Sequence, residues 1–288
     1  ETAEANSINF EELKAGKANI KVFGCGGCGC NMATWLFNKG INGASIYGVN
    51  TDALHLSITK TDEKLLIGKE LTRGLGCGGF PTKGKEAAKE SLTDLKKAVS
   101  NSDMVFVLAG LGGGTGTGSI PIIAQLAKEA GAVVIAVVTM PFEAEKARID
   151  KAEFGLQELR ESVDTVIVLD NNRLVDIAGQ LPMEQAFAVA NELVSTMIKG
   201  IVETITLPSL INLDYADVSS IMKNGDVAVI GIGEDNSNAR VDAAVQQALT
   251  HPLLDVDYRG ATGALVHITC GPDLKLEEFD TIGRLVTE

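Results

Sequence analysis

The stretch MVFVLAGLGGGTGTGS, residues 104–119, decides the fold. Its first seven residues are an apolar run of the kind found in a parallel strand covered on both faces. A glycine-rich loop follows, and a helical pattern begins at Ser119. Because a helix N-terminus carries unpaired N–H groups and a partial positive charge, phosphate is its natural ligand. The stretch therefore predicts a strand, a phosphate-binding loop and a helix, in that order.

Two other glycine loops precede predicted helices: GCGGCGCN, residues 24–31, and TRGLGCGGFP, residues 72–81. None of the three loops contains an acidic residue, although the chain's net charge is −13. Three such loops converging on one site suit two or three phosphates held by backbone N–H groups. The alternative is that the glycines only permit tight packing of strand against helix. The sequence has no G-K-[ST] motif, which argues against a P-loop NTPase.

Apolar runs and helical patterns alternate along the first 180 or so residues. Strands are predicted at 20–23, 45–50, 104–109, 133–139 and 165–170, and helices at 31–39, 81–99, 119–130 and 146–162. This alternation predicts an α/β fold with a doubly wound parallel sheet.

A long helical pattern at 183–205, ended by Pro208, leads to a second set of elements. These are helices at 215–222, 237–250 and 275–286 and strands at 227–232 and 265–270. We therefore divide the chain into an N-terminal extension (1–17), a nucleotide-binding domain (18–182), a central helix (183–207) and a smaller α+β domain (208–288). Two strands are few for an independent sheet, so we expect that this domain is incomplete or that its partner strands lie elsewhere.

Composition excludes several classes of function. With 25 basic and 38 acidic residues the chain lacks the basic face that nucleic acid requires. The longest apolar run, 130–138, is far shorter than the roughly 18 residues of a membrane span, so direct membrane insertion is not expected. Residues 1–17 are polar and do not resemble a secretory signal. Five cysteines without framework spacing indicate a reducing, cytoplasmic environment.

Three of the cysteines, Cys25, Cys28 and Cys30, have the spacing of a metal or redox clip. A zinc site needs about four ligands, and Cys77 could be the fourth only if its loop collapsed into the phosphate pocket. We interpret the cysteines instead as small residues of the glycine loops. Since a thiol at a helix N-terminus has a lowered pKa, we expect Cys28 and Cys77 to react with alkylating reagents unless nucleotide covers them.

Two motifs resemble a known family. GGGTGTGS, residues 112–119, resembles the signature loop of the FtsZ/tubulin family of GTPases, and NLDYADV, residues 212–218, resembles its synergy loop. The resemblance runs from about Ala18 to the last residue and is strongest to the archaeal and bacterial FtsZ branch. It implies GTP and GDP as ligands, with Mg²⁺ held through phosphates and water and not by a protein metal site.

The resemblance assigns nucleotide contacts residue by residue. In the three loops they are Gly27, Cys28, Gly29 and Asn31, the last toward guanine; Cys77, Gly78 and Gly79 toward the γ-phosphate; and Gly113, Gly114, Thr115, Gly116 and Thr117 in the signature loop.

Four more side chains are assigned to the nucleoside. Phe187 and Asn191 are four residues apart and lie on one helix face. Phe187 would stack on the base, and Asn191 would form hydrogen bonds with its edge. The alternative for Phe187 is a core aromatic. Glu145 and Arg148 resemble a Glu and an Arg that reach ribose and base, but the family pattern has four steps between them and this chain has three. Either the helix starts one residue earlier or Arg148 points elsewhere, and a surface ion pair is the alternative.

Asp214 and Asp217 are the catalytic candidates, with Asn212 positioning them. Two acids at a helix start are also typical caps. In the family such acids complete the GTPase site of the next subunit, which implies head-to-tail filaments, a role in the division ring under the membrane, and division proteins that tether a C-terminal tail. The sequence thus predicts a GTP-dependent polymerising cell-division protein whose main partner is itself.

Two alternatives remain open at this point. One is a Rossmann oxidoreductase that binds NAD through Gly24, Gly26, Gly29 and Asp52. The other is a tubulin-like scaffold or shape regulator with little turnover, against which the presence of both Asp214 and Asp217 argues.

Overall fold

The computed structural model of the protein describes residues 18–207, 213–223, 225–237, 239–250 and 260–287. Within these residues seven parallel strands form one sheet in the order β3-β2-β1-β4-β5-β6-β7. The strands are β1 Ile20–Cys25, β2 Ala44–Asn50, β3 Glu63–Leu66, β4 Met104–Gly110, β5 Val133–Met140, β6 Thr165–Asp170 and β7 Asp226–Ala228. The predicted doubly wound parallel α/β fold is confirmed.

Helices cover both faces of this sheet. The helices of the described residues are α1 Gly26–Lys39, α2 Ala53–Ile58, α3 Lys69–Thr72, α4 Pro81–Glu90, α5 Leu92–Val99, α6 Thr115–Glu129, α7 Lys146–Arg160, α8 Asn171–Ala178, α9 Met183–Thr206, α10 Tyr215–Lys223, α11 Arg240–Leu249 and α12 Leu276–Thr287, with a short 3-10 helix at Glu143–Glu145. No helix in the described part of the chain is long and apolar enough to span a membrane.

The core consists of two apolar layers, one on each face of the sheet. Successive β4 side chains alternate between them: Val105 and Val107 face α4–α7, while Phe106 faces α1, α9 and α10. This alternation follows from the period of two in a strand. All these side chains are fully buried, which explains why β4 reads as a continuous apolar run.

The strand order reverses direction between β1 and β4, which pair side by side. The helix after β1 lies on one face, with Met32 and Leu36 in its apolar layer, and the helix after β4 lies on the other, with Ile120 and Ile123. In open parallel sheets ligands bind in the crevice at the carboxyl ends of such strands. The fold therefore predicts a ligand site at the first glycine loop, which follows β1, and the signature loop, which follows β4.

Several predicted boundaries were wrong. The helices expected at 31–39 and 119–130 begin earlier, at Gly26 and Thr115, so both glycine loops supply the first helical turn. The helix expected over 81–99 is two helices separated at Ser91, whose hydroxyl accepts a hydrogen bond from the Gly68 N–H. The short elements α2, β3, α3 and α8 were not predicted.

The second set of elements also differs from expectation. The strand predicted at 227–232 is Asp226–Ala228, and it extends the main sheet by pairing with β6. The segment predicted as a strand at 265–270 is not one. The long helix was predicted correctly as α9, whereas Pro208 and the extension 1–17 lie outside the described residues. The domain boundaries stay predictions.

Candidate nucleotide site

The three glycine loops meet at the carboxyl ends of β1, β2 and β4. Gly26 has a φ of +71°, and a Cβ built on it would lie 2.8 Å from the Gly116 nitrogen, so the first loop touches the signature loop. A Cβ on Gly114 would lie 2.7 Å from the Cys77 Cβ, so the third loop touches the signature loop from the other side. Side chains at either glycine would push the loops apart.

Each loop presents the start of a helix with no side-chain cap. The N-cap residues of α1, α4 and α6 are Cys25, Phe80 and Gly114, and none makes a side-chain capping bond. The first N–H groups of a helix have no partner within it. Three uncapped helix starts in contact bring free N–H donors together, and such donors bind phosphate.

The third loop adds a turn of its own. Gly78 and Gly79 have left-handed φ values of +60° and +77°. The N–H groups of Cys77, Gly78 and Gly79 donate to no acceptor within the described residues, although the Phe80 N–H bonds the Cys77 carbonyl. Successive free N–H groups in such a turn make an anion-binding nest.

Hydroxyl groups line the same region. Thr51, which directly follows β2, has its Oγ1 2.7 Å from the Thr115 Oγ1 and 3.4 Å from the Cys77 sulfur. Thr117 Oγ1 is buried without a hydrogen-bond partner in the described structure. An unpaired buried hydroxyl is costly, so a ligand oxygen at this position would satisfy it. Thr51 was missed in the sequence, although its place at a strand end was a usable signal.

The predicted nucleoside residues lie beside this surface. Arg148 donates to Glu145 at 2.7 Å, so in the described structure Arg148 forms the i,i+3 ion pair that was the alternative to a ligand contact. Phe187 is 37% exposed and meets Phe142 edge to face at 6.0 Å, so it is not a core aromatic.

The two predicted base-reading amides lie at one helix–helix junction. Trp35 of α1 donates to Glu192 of α9 at 2.7 Å. Asn31 is four residues before Trp35 and Asn191 is next to Glu192. Neither amide side chain has a hydrogen-bond partner among the described residues, so both are available to a ligand edge.

The cysteines do not converge on a metal. The Cys25 sulfur donates to the Phe23 carbonyl and the Cys30 sulfur to those of Gly24 and Val49. Burial raises the pKa of Cys25, and it raises the pKa of Cys30 to about 11. Among the residues that the structure describes, no group of three or more potential ligands is placed to hold a metal ion.

Two expectations about thiol reactivity were wrong. Cys77 is 3% exposed and therefore closed to reagents. The Cys28 residue is exposed, but its sulfur lies against Thr139, and desolvation raises its pKa where the helix N-terminus was expected to lower it.

We predict that alkylation of Cys28 is slow at neutral pH and accelerates up to about 10-fold per pH unit until the pH passes its raised pKa. Saturating GTP should slow it at least about fivefold, because the assigned site covers this residue. Cys270 is exposed and far along the chain, so its labelling rate, read by peptide mass spectrometry, is the internal control. Equal protection of both cysteines would contradict the assignment.

The acid pair lies at the other end of the sheet. The Asp217 N–H donates to the Asp214 carboxylate at 2.9 Å and the Asp214 N–H to the Asp217 carboxylate at 3.3 Å, a reciprocal cap at the start of α10. Next to them, the Tyr215 hydroxyl donates to the Asp103 carbonyl at 2.6 Å, and Asp103 immediately precedes β4. The signature loop follows the last residue of β4. Asn212 lies outside the described residues.

Asp52, the acid that the NAD-binding alternative requires, makes a structural contact in this fold. Its carboxylate accepts the His55 N–H at 3.0 Å and caps α2. The doubly wound sheet and the glycine loops at the carboxyl ends of its strands are those of a nucleotide-binding α/β protein.

Comparison with known proteins specifies the family. The Tubulin/FtsZ family, GTPase domain, matches residues 19–179, and the FtsZ family, C-terminal domain, matches residues 226–288. The chain therefore belongs to the Tubulin/FtsZ family, as the sequence motifs predicted. Its ligands are GTP and GDP with Mg²⁺, and the NAD alternative is not supported.

Relatives and solved structures agree with this assignment. The chain is 51% identical to cell division protein FtsZ 2 of Methanocaldococcus jannaschii, over 99% of its own length and 76% of the relative's. It is 53% identical to cell division protein FtsZ 1 of Pyrococcus furiosus, over 94% and 73%. An empty FtsZ dimer from M. jannaschii matches with a TM-score of 0.91 and 50% identity, over 96% of this chain and 81% of that one. The CetZ2 protofilament from Haloferax volcanii shares the fold, with a TM-score of 0.68 and 21% identity over 80% and 73% of the two chains.

Proposed function

We propose that the protein hydrolyses GTP at a site shared between two subunits stacked head to tail, with Asp214 and Asp217 of one subunit acting on GTP held by the next. The protein is a GTP-dependent polymerising cell-division protein, and a shared site would make its turnover depend on assembly. The observation that supports the shared site is the position of the acid pair at the end of the sheet opposite the glycine loops.

The length of β4 separates the acid pair from the glycine loops of the same subunit. β4 has seven residues, from Met104 to Gly110, and at about 3.3 Å per residue it is roughly 20 Å long. Asp103 and the neighbouring Tyr215 are at its start, whereas the signature loop is beyond its end. A carboxylate that acts as a general base must lie within hydrogen-bond distance of the water whose proton it accepts. The acids of one subunit therefore cannot serve its own phosphates.

The glycine loops supply binding and charge stabilisation. The amides of the first and signature loops are assigned to the α- and β-phosphates, and those of Cys77, Gly78 and Gly79 to the γ-phosphate. Such donors need no reorganisation when charge develops in the transition state. Mg²⁺, when bound, would neutralise phosphate charge, and because the loops contain no carboxylate it would be held by phosphate oxygens and water.

The acids supply the orientation of water. The reciprocal cap fixes both carboxylates at the exposed start of α10, where a neighbouring subunit can reach them. Placed beside a γ-phosphate, they would accept protons of the attacking water and hold it in line. Asn212 is proposed to help position them.

This geometry produces filaments. One end of the subunit contacts the opposite end of the next, and such a heterologous contact does not close, so it grows. The alternative, a tubulin-like scaffold or shape regulator that binds GTP with little turnover, is less well supported because the relatives near 50% identity are FtsZ proteins. We further propose a cytoplasmic location at the division ring, with membrane tethering by other division proteins.

We expect phosphate release per subunit to rise with protein concentration and then level off, since an isolated subunit has only half of each site. Light scattering should increase with GTP and not with GDP. Specific activity that is constant from the lowest concentration upward would contradict a shared site.

A further inference from the structure

Helix α7 contacts the third loop, which is assigned to the γ-phosphate, and the start of α6, which belongs to the signature loop. Lys151 donates from its Nζ to the Gly79 carbonyl at 2.8 Å. Its Nζ also lies 5.5 Å from the centre of the Phe80 ring, within the range of a cation–π contact. Lys151 is thus bonded to the loop through two consecutive residues.

The same face of α7 contacts two other helices. A Cβ built on Gly155 would lie 2.3 Å from the Thr117 methyl carbon, so α7 is pressed against the start of α6. One turn further, Glu158 pairs with Lys85 of α4 at 2.9 Å. Residues 151, 155 and 158 share one helix face by their spacing. This face of α7 therefore contacts α6, which follows the signature loop, and α4, which follows the third loop. Lys151 contacts the third loop itself.

From this arrangement we propose that Lys151 is a positioning residue for the γ-phosphate loop, which sets the preference of the site for GTP over GDP. The inference rests on the proposed nucleotide site. The Gly79 carbonyl shares its peptide unit with the Phe80 N–H, which bonds the Cys77 carbonyl, so the lysine fixes the far end of the turn and keeps the carbonyl oxygen directed toward α7. With that end of the turn fixed, the preceding N–H groups of Gly78 and Gly79 are held for a γ-phosphate.

The glycines make such an external support necessary. Gly78 and Gly79 have φ of +60° and +77°, and no backbone hydrogen bond within the described residues holds either N–H. Nothing lies within 4 Å of a Cβ built on Gly79, so packing does not fix the peptide either. Glycine has the largest conformational freedom of any residue. The bond from the Phe80 N–H to the Cys77 carbonyl closes the turn, and Lys151 is the side chain that fixes the Gly79 carbonyl.

GDP lacks the γ-phosphate that this loop is proposed to bind, so loss of the lysine should weaken GTP binding and not GDP binding. We expect Lys151→Met, which keeps the aliphatic stem and removes the donor, to reduce the ratio of GTPγS to GDP affinity about 10-fold, a typical loss for a charged hydrogen bond. Affinity for GDP should stay within twofold. Binding is measured by isothermal titration at protein concentrations where light scattering shows no assembly, so subunit contact does not contribute.

Three controls make the experiment decisive. Lys151→Arg keeps a cationic donor and the ring contact and should restore most of the ratio. Lys85→Ala removes the neighbouring ion pair on the same helix face and should leave the ratio unchanged. Lys151→Leu, which like Met has no donor, provides a second test if the Met variant does not fold, with a reduced ratio again expected.

Equal weakening of GTPγS and GDP, an unchanged ratio, or the same effect from Lys85→Ala would overturn the proposal. Its failure is distinguishable from failure of the proposed function. In the first case the wild-type protein still binds GTP and its turnover still rises with concentration. In the second case the wild-type protein itself lacks one of these properties.

Discussion

Asp214→Asn is expected to reduce GTP turnover at least about 100-fold while GTP affinity stays within about threefold. The variant removes the negative charge but keeps an oxygen that can accept the Asp217 N–H, so the cap of α10 remains. The acids lie roughly a strand length from their own subunit's loops, so nucleotide binding does not require them. Phosphate release and equilibrium binding of GTPγS are the two measurements.

The matched control is Asp214→Ala, which removes both charge and cap. It should lose turnover to the same extent and also lower the free energy of unfolding by about 1 kcal/mol, the usual loss for an N-cap. If Asp214→Asn keeps turnover and only Asp214→Ala loses it, the carboxylate is a cap and not a catalyst. Loss of GTP binding in Asp214→Asn would instead place the residue in its own subunit's pocket.

Gly27→Asp is expected to weaken GTP binding at least about 100-fold without unfolding the protein. Gly27 is exposed at the start of α1, and nothing lies within 4 Å of a Cβ built there, so the side chain fits. An acid in the first turn of a helix is stabilising. The same charge a few ångströms from phosphates costs about 4 kcal/mol per charge pair at an effective dielectric of 20.

Gly27→Asn separates charge from size in this prediction. It has nearly the volume of aspartate, and we expect it to weaken binding at most about 10-fold. Thermal unfolding of the nucleotide-free proteins should show Gly27→Asp at least as stable as the parent. Tight GTP binding by Gly27→Asp would mean that the first loop does not cradle phosphate.

Much of the fold could be predicted because local patterns determine it. Unbroken apolar strands such as Val133–Met140 are covered on both faces, and glycine loops mark their carboxyl ends. The starts of α1 and α6 could not be predicted, because glycine has low helix propensity and these starts carry no cap. Pairing of β7 with β6 could not be predicted either, since it depends on tertiary contact across about 60 residues.

Only part of the candidate site could be predicted from the sequence. Its backbone donors follow from glycine motifs, which are contiguous in the sequence. Thr51 bonds Thr115 across 64 positions and Lys151 bonds Gly79 across 72, so only the folded chain reveals these contacts. The cysteines were interpreted as small residues of the glycine loops and not as a metal clip. In the structure, alternation along β1 and the turn into α1 give Cys25, Cys28 and Cys30 different hydrogen-bond partners.

The central claim is that one subunit's acids act on the next subunit's GTP, and mixing two inactive variants tests it most directly. Asp214→Asn keeps the pocket and lacks the acid, whereas Gly27→Asp keeps the acid and lacks the pocket. In an equal mixture with random stacking, roughly a quarter of the contacts join an intact pocket to an intact acid pair. We predict that the mixture recovers up to about that fraction of wild-type phosphate release, and a mixture as inactive as its components would contradict the shared site.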